Sequence, residues 1–430
     1  MRARARGGGG LGRESGAVAA WSAALFLAIL QTALQSFPSA FEPELREAFA
    51  LRATGFALLA SSFQVAYIPA QLAAGVLLDR IRPELLLLAA AVAGALLSAA
   101  VALSPTAGTA AVLRAGCGLV GSVAFPGCLA IAAARFEPRR FAIVATATEG
   151  LALTGAAFAQ AALPSVASGD WRRGSLALAA MLLAAGVPIA LAARSAAPRA
   201  ASSSSDGSFA RIVRDRRIWQ LAVAGGLVAA VPFGFGAAWA PNLVANRFGM
   251  DAVASARISS WIFVGVALGA PLLGVGAGTG ARRDAALLAS PLLVAAILAW
   301  VVWSPADDPS SLAATFLALG LAASAYSLVF ARVAELAPPG AVATAMGFTN
   351  LLVMAIGACV LAPLYGSLLD WFADGATTVG AFPDPQPEIV IGLQRAMGIF
   401  LAAPLVAFAL LALERLTRSA AGRRPAAGEG

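Results

Sequence analysis

The 430 residues include no histidine and no lysine, and all 30 basic residues are arginine. The only cysteines are Cys117, Cys128 and Cys359, and none has the Cys-x-x-Cys or Cys/His spacing of a metal or redox site. The usual zinc and proton-shuttle ligands are therefore missing, and no acidic residues cluster at helical spacing. We expect no metal, no cofactor and no enzyme, with the cysteines as packing residues.

Charge is also scarce. Charged residues make up 12% of the chain and hydrophobic residues 60%, with a mean hydropathy of +0.82, whereas a soluble domain carries roughly 25% charged residues. A run of about 20 apolar residues crosses a hydrocarbon core of roughly 30 Å as a helix. The sequence contains twelve such runs, at residues 17–37, 54–78, 83–103, 108–134, 141–163, 175–194, 218–240, 254–277, 285–303, 310–333, 341–369 and 391–413.

These runs predict an all-α integral membrane protein, because the short alternating strands of a membrane barrel do not appear. The basic start "MRARARGGGGLGRESG" is similar to the first part of a secretory signal. The apolar run that follows is too long for one, and no clean cleavage site follows it. We expect an uncleaved first helix. The run at 341–369 is overlong, which predicts a helix that tilts or protrudes.

The arginines indicate the orientation. If the N-terminus is cytoplasmic, 22 arginines fall on cytoplasmic segments, seven on outer segments, and Arg114 lies within a span. This bias follows the positive-inside rule and places both termini in the cytoplasm. The net charge of +8 then faces anionic lipid headgroups, so we expect a lipid bilayer and no nucleic acid as a partner. The all-arginine basic set and high alanine content are typical of a GC-rich bacterial gene, and hence of the inner membrane.

The spans divide into two groups of six. The segment "SAAPRAASSSSDGSFARIVRDRR" between the sixth and seventh spans has the small, polar composition of a linker. The first span exits through "FPSAFEPELREAF" and the seventh through "WAPNLVANRFG", a weak parallel repeat. We predict a cytoplasmic tail at 1–16, six-helix bundles at 17–194 and 218–413, a cytoplasmic linker at 195–217 and a cytoplasmic tail at 414–430.

The turn after the second span carries the sequence "GVLLDRIR". It resembles the signature of the major facilitator superfamily (MFS), and Gly75, Asp79 and Arg80 match that signature. Residues 82–84 depart from it, because they read Arg-Pro-Glu where a glycine and basic residues are usual. By this resemblance, Asp79 would lie against the start of the eleventh span near Gly340, where helix N-terminal amides favour an anion. It would hold the two halves together while the cavity faces outward. The alternative is an ordinary solvated acid.

Three further stretches support the resemblance. The fourth span reads "RAGCGLVGSVAFPG", which is similar to the family pattern at Arg114, Gly118, Gly121 and Pro126, and "GDWRRG" looks like the family's entry to its sixth helix. The second half keeps only a partial signature, "GVGAGTGARR", with glycine in place of the acid. The resemblance implies twelve transmembrane helices in two pseudo-symmetric six-helix bundles that rock around a midplane site.

Two ionisable residues lie in mid-membrane, where charges are costly and mark functional candidates. Arg114 is predicted to attract an anionic group on the substrate, and Glu149 to bind a proton, a cation or a substrate ammonium. The alternative is that each neutralises neighbouring polar groups and holds helices together. Uncharged polar side chains in spans that line the cavity in the superfamily are further candidates, although such groups also join helices: Gln31, Gln35, Gln64, Tyr67, Gln71, Gln160, Tyr326 and Asn350. Of these, Gln35, Tyr67, Asn350 and Gln31 are the preferred substrate contacts.

The sequence thus predicts a monomeric secondary active transporter of a small organic solute, anionic if Arg114 binds it, coupled to a proton or another cation. Uptake and efflux, symport and antiport remain equally open. A second hypothesis is a membrane receptor or scaffold that keeps the fold but moves no solute, since the second-half signature is eroded. Proteoliposome flux separates these two hypotheses.

Overall fold

The computed structural model describes residues 8–137, 144, 147–148, 150–194, 208–277, 280–304, 308–337, 342–372 and 387–422, and no strand occurs among them. The first half of the chain forms nine helices within the described residues: α1 (Gly8–Ala40), α2 (Glu42–Phe49), α3 (Ala53–Arg80), α4 (Pro83–Ala102), α5 (Ala107–Gly121), α6 (Ala124–Arg135), α7 (Thr154–Ala161), α8 (Leu163–Val166) and α9 (Trp171–Arg194).

The second half forms twelve α-helices within the described residues: α10 (Ser208–Arg214), α11 (Arg216–Ala230), α12 (Ala240–Phe248), α13 (Ala252–Ser259), α14 (Trp261–Ala277), α15 (Gly280–Trp303), α16 (Pro309–Ala323), α17 (Leu328–Leu336), α18 (Val342–Ala355), α19 (Ala362–Phe372), α20 (Pro387–Ala396) and α21 (Gly398–Gly422). Two π-helical segments, Val231–Gly236 and Ile356–Leu361, and a 3₁₀ turn, Ser324–Ser327, interrupt the longer helices.

The predicted membrane architecture is confirmed. Eleven helical stretches of the described chain are long and apolar enough to cross a membrane, and a shorter apolar helix, Gly150–Ala161, lies within the predicted fifth span. The first part of that span lies outside the described residues. Twelve membrane helices are therefore consistent with the structure. Apolar side chains on their outer surfaces are exposed, as lipid contact requires; Leu96 and Leu272, for example, are 66% and 67% exposed.

Two details differ from the simple span pattern. The predicted linker contains a short helix, α10, and the overlong eleventh span is a continuous stretch in which the π segment 356–361 separates α18 from α19. A π segment adds residues without adding a full turn of length. The extra residues of that span are therefore taken up by the break as well as by the helix ends.

The membrane helices have two ends. We call the face at which α1 begins and α21 ends the terminal face, and the other the opposite face. The two repeat-like sequences after the first and seventh spans both form short helices at the opposite face, α2 and α12. Each has a proline in its first turn, where the missing N–H has no intrahelical partner in any case.

Close helix crossings depend on glycine. A Cβ added at Gly118 would lie 2.0 Å from the Phe63 carbonyl oxygen, so α5 packs against the backbone of α3. A Cβ at Gly155 would lie 1.8 Å from the Ile29 carbonyl oxygen, which brings α7 equally close to α1. Small residues permit this approach between membrane helices. These contacts fix α1, α3, α5 and α7 around the centre of the molecule.

Candidate functional site

A cavity lies between the two halves, and its empty space of about 530 Å³ includes open solvent. Its polar lining comes from α1, α3, α18 and the 3₁₀ turn, and its apolar lining includes two phenylalanines and a methionine. The lining residues are Gln31, Thr32, Gln35, Tyr67, Gln71, Phe125, Ala152, Leu153, Phe233, Tyr326, Asn350 and Met354. Six of the eight uncharged polar residues singled out from the sequence are therefore brought together here. The described lining carries no formal charge.

Helical spacing explains the placement of the amides. Gln31 and Gln35 are four residues apart on α1, and Tyr67 and Gln71 are four apart on α3, so each pair shares one helix face. The Asn350 amide Nδ2 donates a hydrogen bond to Gln71 Oε1 at 2.8 Å, which joins the two halves across the cavity. The amides therefore offer both donors and acceptors to a bound molecule.

The second half contributes through irregular helix segments. Phe233 lies in the π segment 231–236 and contacts Tyr326 with a ring-centroid distance of 5.8 Å. The π segments cross closely, because a Cβ at Gly234 would lie 2.6 Å from the Gly357 carbonyl oxygen. π segments inside helices are frequent at functional sites. The first of these segments places the Phe233 ring on the second-half wall of the cavity.

Arg114 lies outside the lining of this cavity. It is 4% exposed, and its guanidinium donates to three backbone carbonyls: Nε to Leu59, Nη1 to Leu34 and Nη2 to Ala60, at 3.2–3.3 Å. The Leu34 carbonyl is available because its normal helical partner is Pro38, which has no N–H. Arg114 thus joins α5 to α1 and α3. Its contact with a substrate stays a prediction.

Several predicted residues fall elsewhere. Glu149, Gly340 and the side chain of Asp79 lie outside the described residues, so the latch predicted for Asp79 stays a prediction. Gly118 makes the close crossing with α3, whereas a Cβ at Gly75 would have no atom within 4 Å. Arg80 is exposed at the end of α3.

Gln64 and Gln160 lie outside the lining of the larger cavity. Gln64 borders a smaller cavity of about 250 Å³ that Gln35 and Phe233 share with the larger one. Gln160 is fully buried, and its Nε2 donates to Ser39 Oγ at 2.9 Å and to the Gly236 carbonyl at 2.7 Å. The second of these bonds joins the two halves.

Beyond the smaller cavity the opposite face is sealed. Trp239 packs against Phe56 and Tyr365, with centroid distances of 5.4 and 5.0 Å, and its Nε1 donates to the Ala362 carbonyl at 3.0 Å. All three rings are 0% exposed. Because Phe56 belongs to the first half and the other two to the second, this aromatic layer closes the path between the halves.

Asp370 makes a hydrogen-bonded contact across the same face. Its carboxylate accepts from the backbone N–H groups of Ala53 and Thr54, at 3.0 and 2.8 Å, and from the Thr54 hydroxyl. The residue that precedes α3 is Arg52, which makes no side-chain cap. An acid of the second half therefore caps a helix of the first half, and Arg52 adds an exposed ion pair at 3.8 Å.

Glu42 makes the other polar contact. It is 1% exposed, and its Oε1 accepts from Asn242 Nδ2 of the second half at 2.8 Å and from Arg46 Nη1 at 3.3 Å. Glu42 lies outside the membrane-spanning helices. Burial raises its pKa to about 7, and the opposing effects of Arg46 and Asn242 offset only part of that increase.

The terminal face is less tightly packed. A Cβ at Gly75, Gly274 or Gly347 would meet no atom within 4 Å, and Val275 near the end of α14 is 93% exposed. Around these three described glycines, therefore, no atom of a neighbouring helix packs within 4 Å of the added Cβ position.

Sequence patterns missed part of the cavity lining and the contacts that close the opposite face. Thr32, Phe125, Phe233 and Met354 are apolar or weakly polar residues within long apolar runs, and nothing local distinguishes them. Glu42 had a usable signal, because it is an acid directly after an apolar span in the loop "FEPEL". Its significance depends on Asn242, which is 200 residues away.

Comparisons with known proteins agree with this architecture. A family model described as the Major Facilitator Superfamily matches residues 21–362. No curated protein matches the chain. A bacterial homologue of the human lysosomal transporter Spinster, solved in an inward-facing and occupied conformation, is 15% identical with a TM-score of 0.74, and the match covers 92% of this chain and 96% of that chain. The nucleoside transporter NupG is 12% identical with a TM-score of 0.70, covering 92% and 98%.

Proposed function

The chain belongs to the major facilitator superfamily, and from that premise we propose that it is a secondary active transporter of a small organic solute. The family and the similar structures indicate a membrane transporter rather than an enzyme. We further propose that transport occurs by alternating access and is coupled to a proton or another cation. The direction and the choice between symport and antiport are left to the flux assay.

One observation carries this proposal. The cavity lies at the interface of the two halves, with Gln35 and Tyr67 on one wall and Phe233 and Asn350 on the other. A solute held there contacts both halves, so its binding energy depends on their relative position. That dependence is what a rocking transporter requires, because a ligand shifts a conformational equilibrium only through differential affinity for the two states.

The difference in packing between the opposite face and the terminal face supports an assignment of the conformational state. The opposite face is sealed by the aromatic layer and by the Asp370 and Glu42 contacts, whereas the glycines at the terminal-face helix ends have open surroundings. Since the arginine bias places the terminal face in the cytoplasm, this conformation corresponds to an inward-facing state. The bacterial inner membrane is the proposed location.

The lining favours a particular chemistry of solute. Amides, phenol hydroxyls and aromatic rings recognise a molecule through hydrogen bonds and stacking. Arg114 directs all three of its guanidinium nitrogens to carbonyls. An anionic solute would need at least one of those bonds to be exchanged, so we propose a solute with uncharged polar groups as the better fit.

The test begins with a thermal-shift screen of metabolites against the purified protein. The solute that stabilises it most is then assayed for flux in proteoliposomes, with and without a pH gradient. Gln71→Ala removes an amide of the cavity and should weaken solute binding about fivefold, since a lost hydrogen bond contributes about 1 kcal/mol. Gln220→Ala is the matched control, because its amide donates to the Leu410 carbonyl outside the cavity lining.

Stabilisation without flux would contradict the proposal and favour the receptor or scaffold hypothesis. Equal loss of affinity in Gln71→Ala and Gln220→Ala would contradict the assignment of the cavity.

A further inference from the structure

Unpartnered polar atoms cluster at the sealed opposite face. Within the described part of the chain, Glu42 Oε2, Asn242 Oδ1 and the Tyr365 hydroxyl are all buried and have no hydrogen-bond partner. The three residues are at most 1% exposed. Buried polar groups are normally paired, because an unpaired group loses the hydrogen bonds that it makes to water in the unfolded chain. Three such atoms at one interface between the halves require an explanation.

Few charged groups face the Glu42 carboxyl. On α2, Arg46 pairs with Glu42 Oε1 at 3.3 Å, and Glu44 acts as a like charge. From α12 the facing group is the neutral amide of Asn242, and from α19 it is the hydroxyl of Tyr365, which lies within electrostatic range of the Glu42 carboxyl. One arginine therefore opposes a deeply buried acid that has a second oxygen to satisfy.

A proton resolves the mismatch. An ionised carboxylate is only an acceptor, and so is Asn242 Oδ1, whereas the Tyr365 hydroxyl both donates and accepts but makes no hydrogen bond to the carboxylate. A neutral acid carries an O–H on Oε2 that can donate to Asn242 Oδ1, while Oε1 keeps its bonds from Asn242 Nδ2 and Arg46. Protonation thus removes the buried charge and allows two of the three unpaired atoms to pair with each other.

We infer that the Glu42 carboxyl is a proton-binding site at the interface of the two halves, loaded when the opposite face closes and unloaded when that face opens. The inference rests on the proposed alternating access. In the step, a hydronium ion transfers its proton to Oε2 before the face seals. Opening exposes the carboxyl to water, and the proton returns to solvent.

The raised pKa of Glu42 sets the direction of the pH dependence. In the closed state it is about 7, whereas a solvated glutamate titrates near its ordinary value of about 4.3. Protonation therefore favours closure, and closure weakens as pH rises through about 7. By linkage, the ratio of closed to open protein should fall about tenfold between pH 6 and pH 8.

The measurement uses the full-length protein in lipid nanodiscs and needs no transported solute. The three native cysteines are replaced by alanine, and spin labels are attached at Ala48→Cys and Ala245→Cys, which lie in α2 and α12 at the opposite face. Ala48 is exposed and Ala245 partly exposed, so both accept a label. Electron–electron distance distributions are recorded from pH 5 to pH 9.

The labelled protein should show a growing long-distance population above pH 7. Glu42→Gln keeps the shape of the neutral acid and should remove this response, leaving the short distance at every pH. Glu44→Gln is the matched control, because it removes an acid from the same helix that is less deeply buried. It should keep the response with a lower midpoint, since Glu44 no longer repels the Glu42 carboxylate. Infrared difference spectra should show a carboxyl band that titrates near pH 7 and disappears only in Glu42→Gln.

The inference is overturned if Glu42→Gln keeps the pH response or the titrating carboxyl band. Flux measurements separate it from the proposed function. Loss of the response in Glu42→Gln without any solute flux in the parent protein would refute transport alone. Flux in the parent with an unchanged response in Glu42→Gln would refute the proton site alone.

Discussion

Asp370→Ala tests how the opposite face is held closed. The substitution removes an acid that caps α3 from the other half, through the N–H groups of Ala53 and Thr54 and the Thr54 hydroxyl. Loss of a helix cap costs about 1 kcal/mol, and a charged acceptor adds to that value, so we expect about 2 kcal/mol in total. The pair with Arg52 is discounted because that side chain is 65% exposed.

This free energy favours only the closed state, because opening separates Asp370 from α3. A change of about 2 kcal/mol corresponds to about a 30-fold fall in the closed-to-open ratio. Spin labels at Ala48→Cys and Ala245→Cys report it as a larger long-distance population at pH 6, where Glu42 still favours closure.

Asp251→Ala is the control for helix capping itself. Asp251 caps α13 within its own half, where it accepts from the Ala254 N–H at 2.8 Å. Its removal should lower the thermal midpoint without changing the distance distribution. An unchanged distribution in Asp370→Ala, or the same shift in Asp251→Ala, would refute the assignment of Asp370 as an interhalf contact.

Two further predictions concern the helix contacts of the first half. Arg114→Ala should lower the free energy of unfolding by about 3 kcal/mol or more, since three charge-assisted hydrogen bonds are lost. Arg114→Lys should recover only part of that free energy, because an ammonium lacks the planar fork of a guanidinium. Equal thermal midpoints for the parent and Arg114→Ala would contradict the role of Arg114 in joining α5 to α1 and α3. Gly118→Ala should sharply reduce folded yield, because its Cβ would lie 2.0 Å from the Phe63 oxygen, whereas Gly75→Ala meets nothing within 4 Å and should leave the yield unchanged; similar yields of the two variants on size-exclusion chromatography would contradict this prediction.

The length of the apolar runs was sufficient to predict the membrane helices. A membrane span can be recognised from its own stretch of sequence, because about 20 apolar residues must occur together. The cavity amides were also predictable, since polar groups in lipid are costly and must face the protein interior. Gln31, Gln35, Tyr67 and Asn350 all line the cavity for this reason.

The remaining features depend on distant partners. Sequence patterns singled out Arg114 as a charge in mid-membrane. They could not show that Pro38 leaves the Leu34 carbonyl free to accept a hydrogen bond from Arg114 Nη1. Glu42 and Asp370 lie at span ends, and those positions do not identify the residues that they contact. Their roles depend on contacts between residues separated by 200 and more than 300 positions, and no local pattern encodes such contacts.

A reversible lock on the opposite face tests alternating access most directly. A Cβ at Gly366 would lie 2.9 Å from the Ala57 Cβ in the other half and 2.9 Å from the Ala53 carbonyl oxygen. The disulfide therefore needs α19 to move away from α3, toward the usual Cβ–Cβ separation of about 3.8 Å. Flux of the stabilising solute is measured in proteoliposomes containing Ala57→Cys/Gly366→Cys, before and after reduction. The control is Ala91→Cys/Gly186→Cys, a 3.9 Å pair within one half.

The account predicts that the oxidised interhalf pair abolishes flux, that reduction restores it, and that the control pair transports in both states. Undiminished flux through the fully oxidised Ala57→Cys/Gly366→Cys protein would contradict transport by opening and closing of this face.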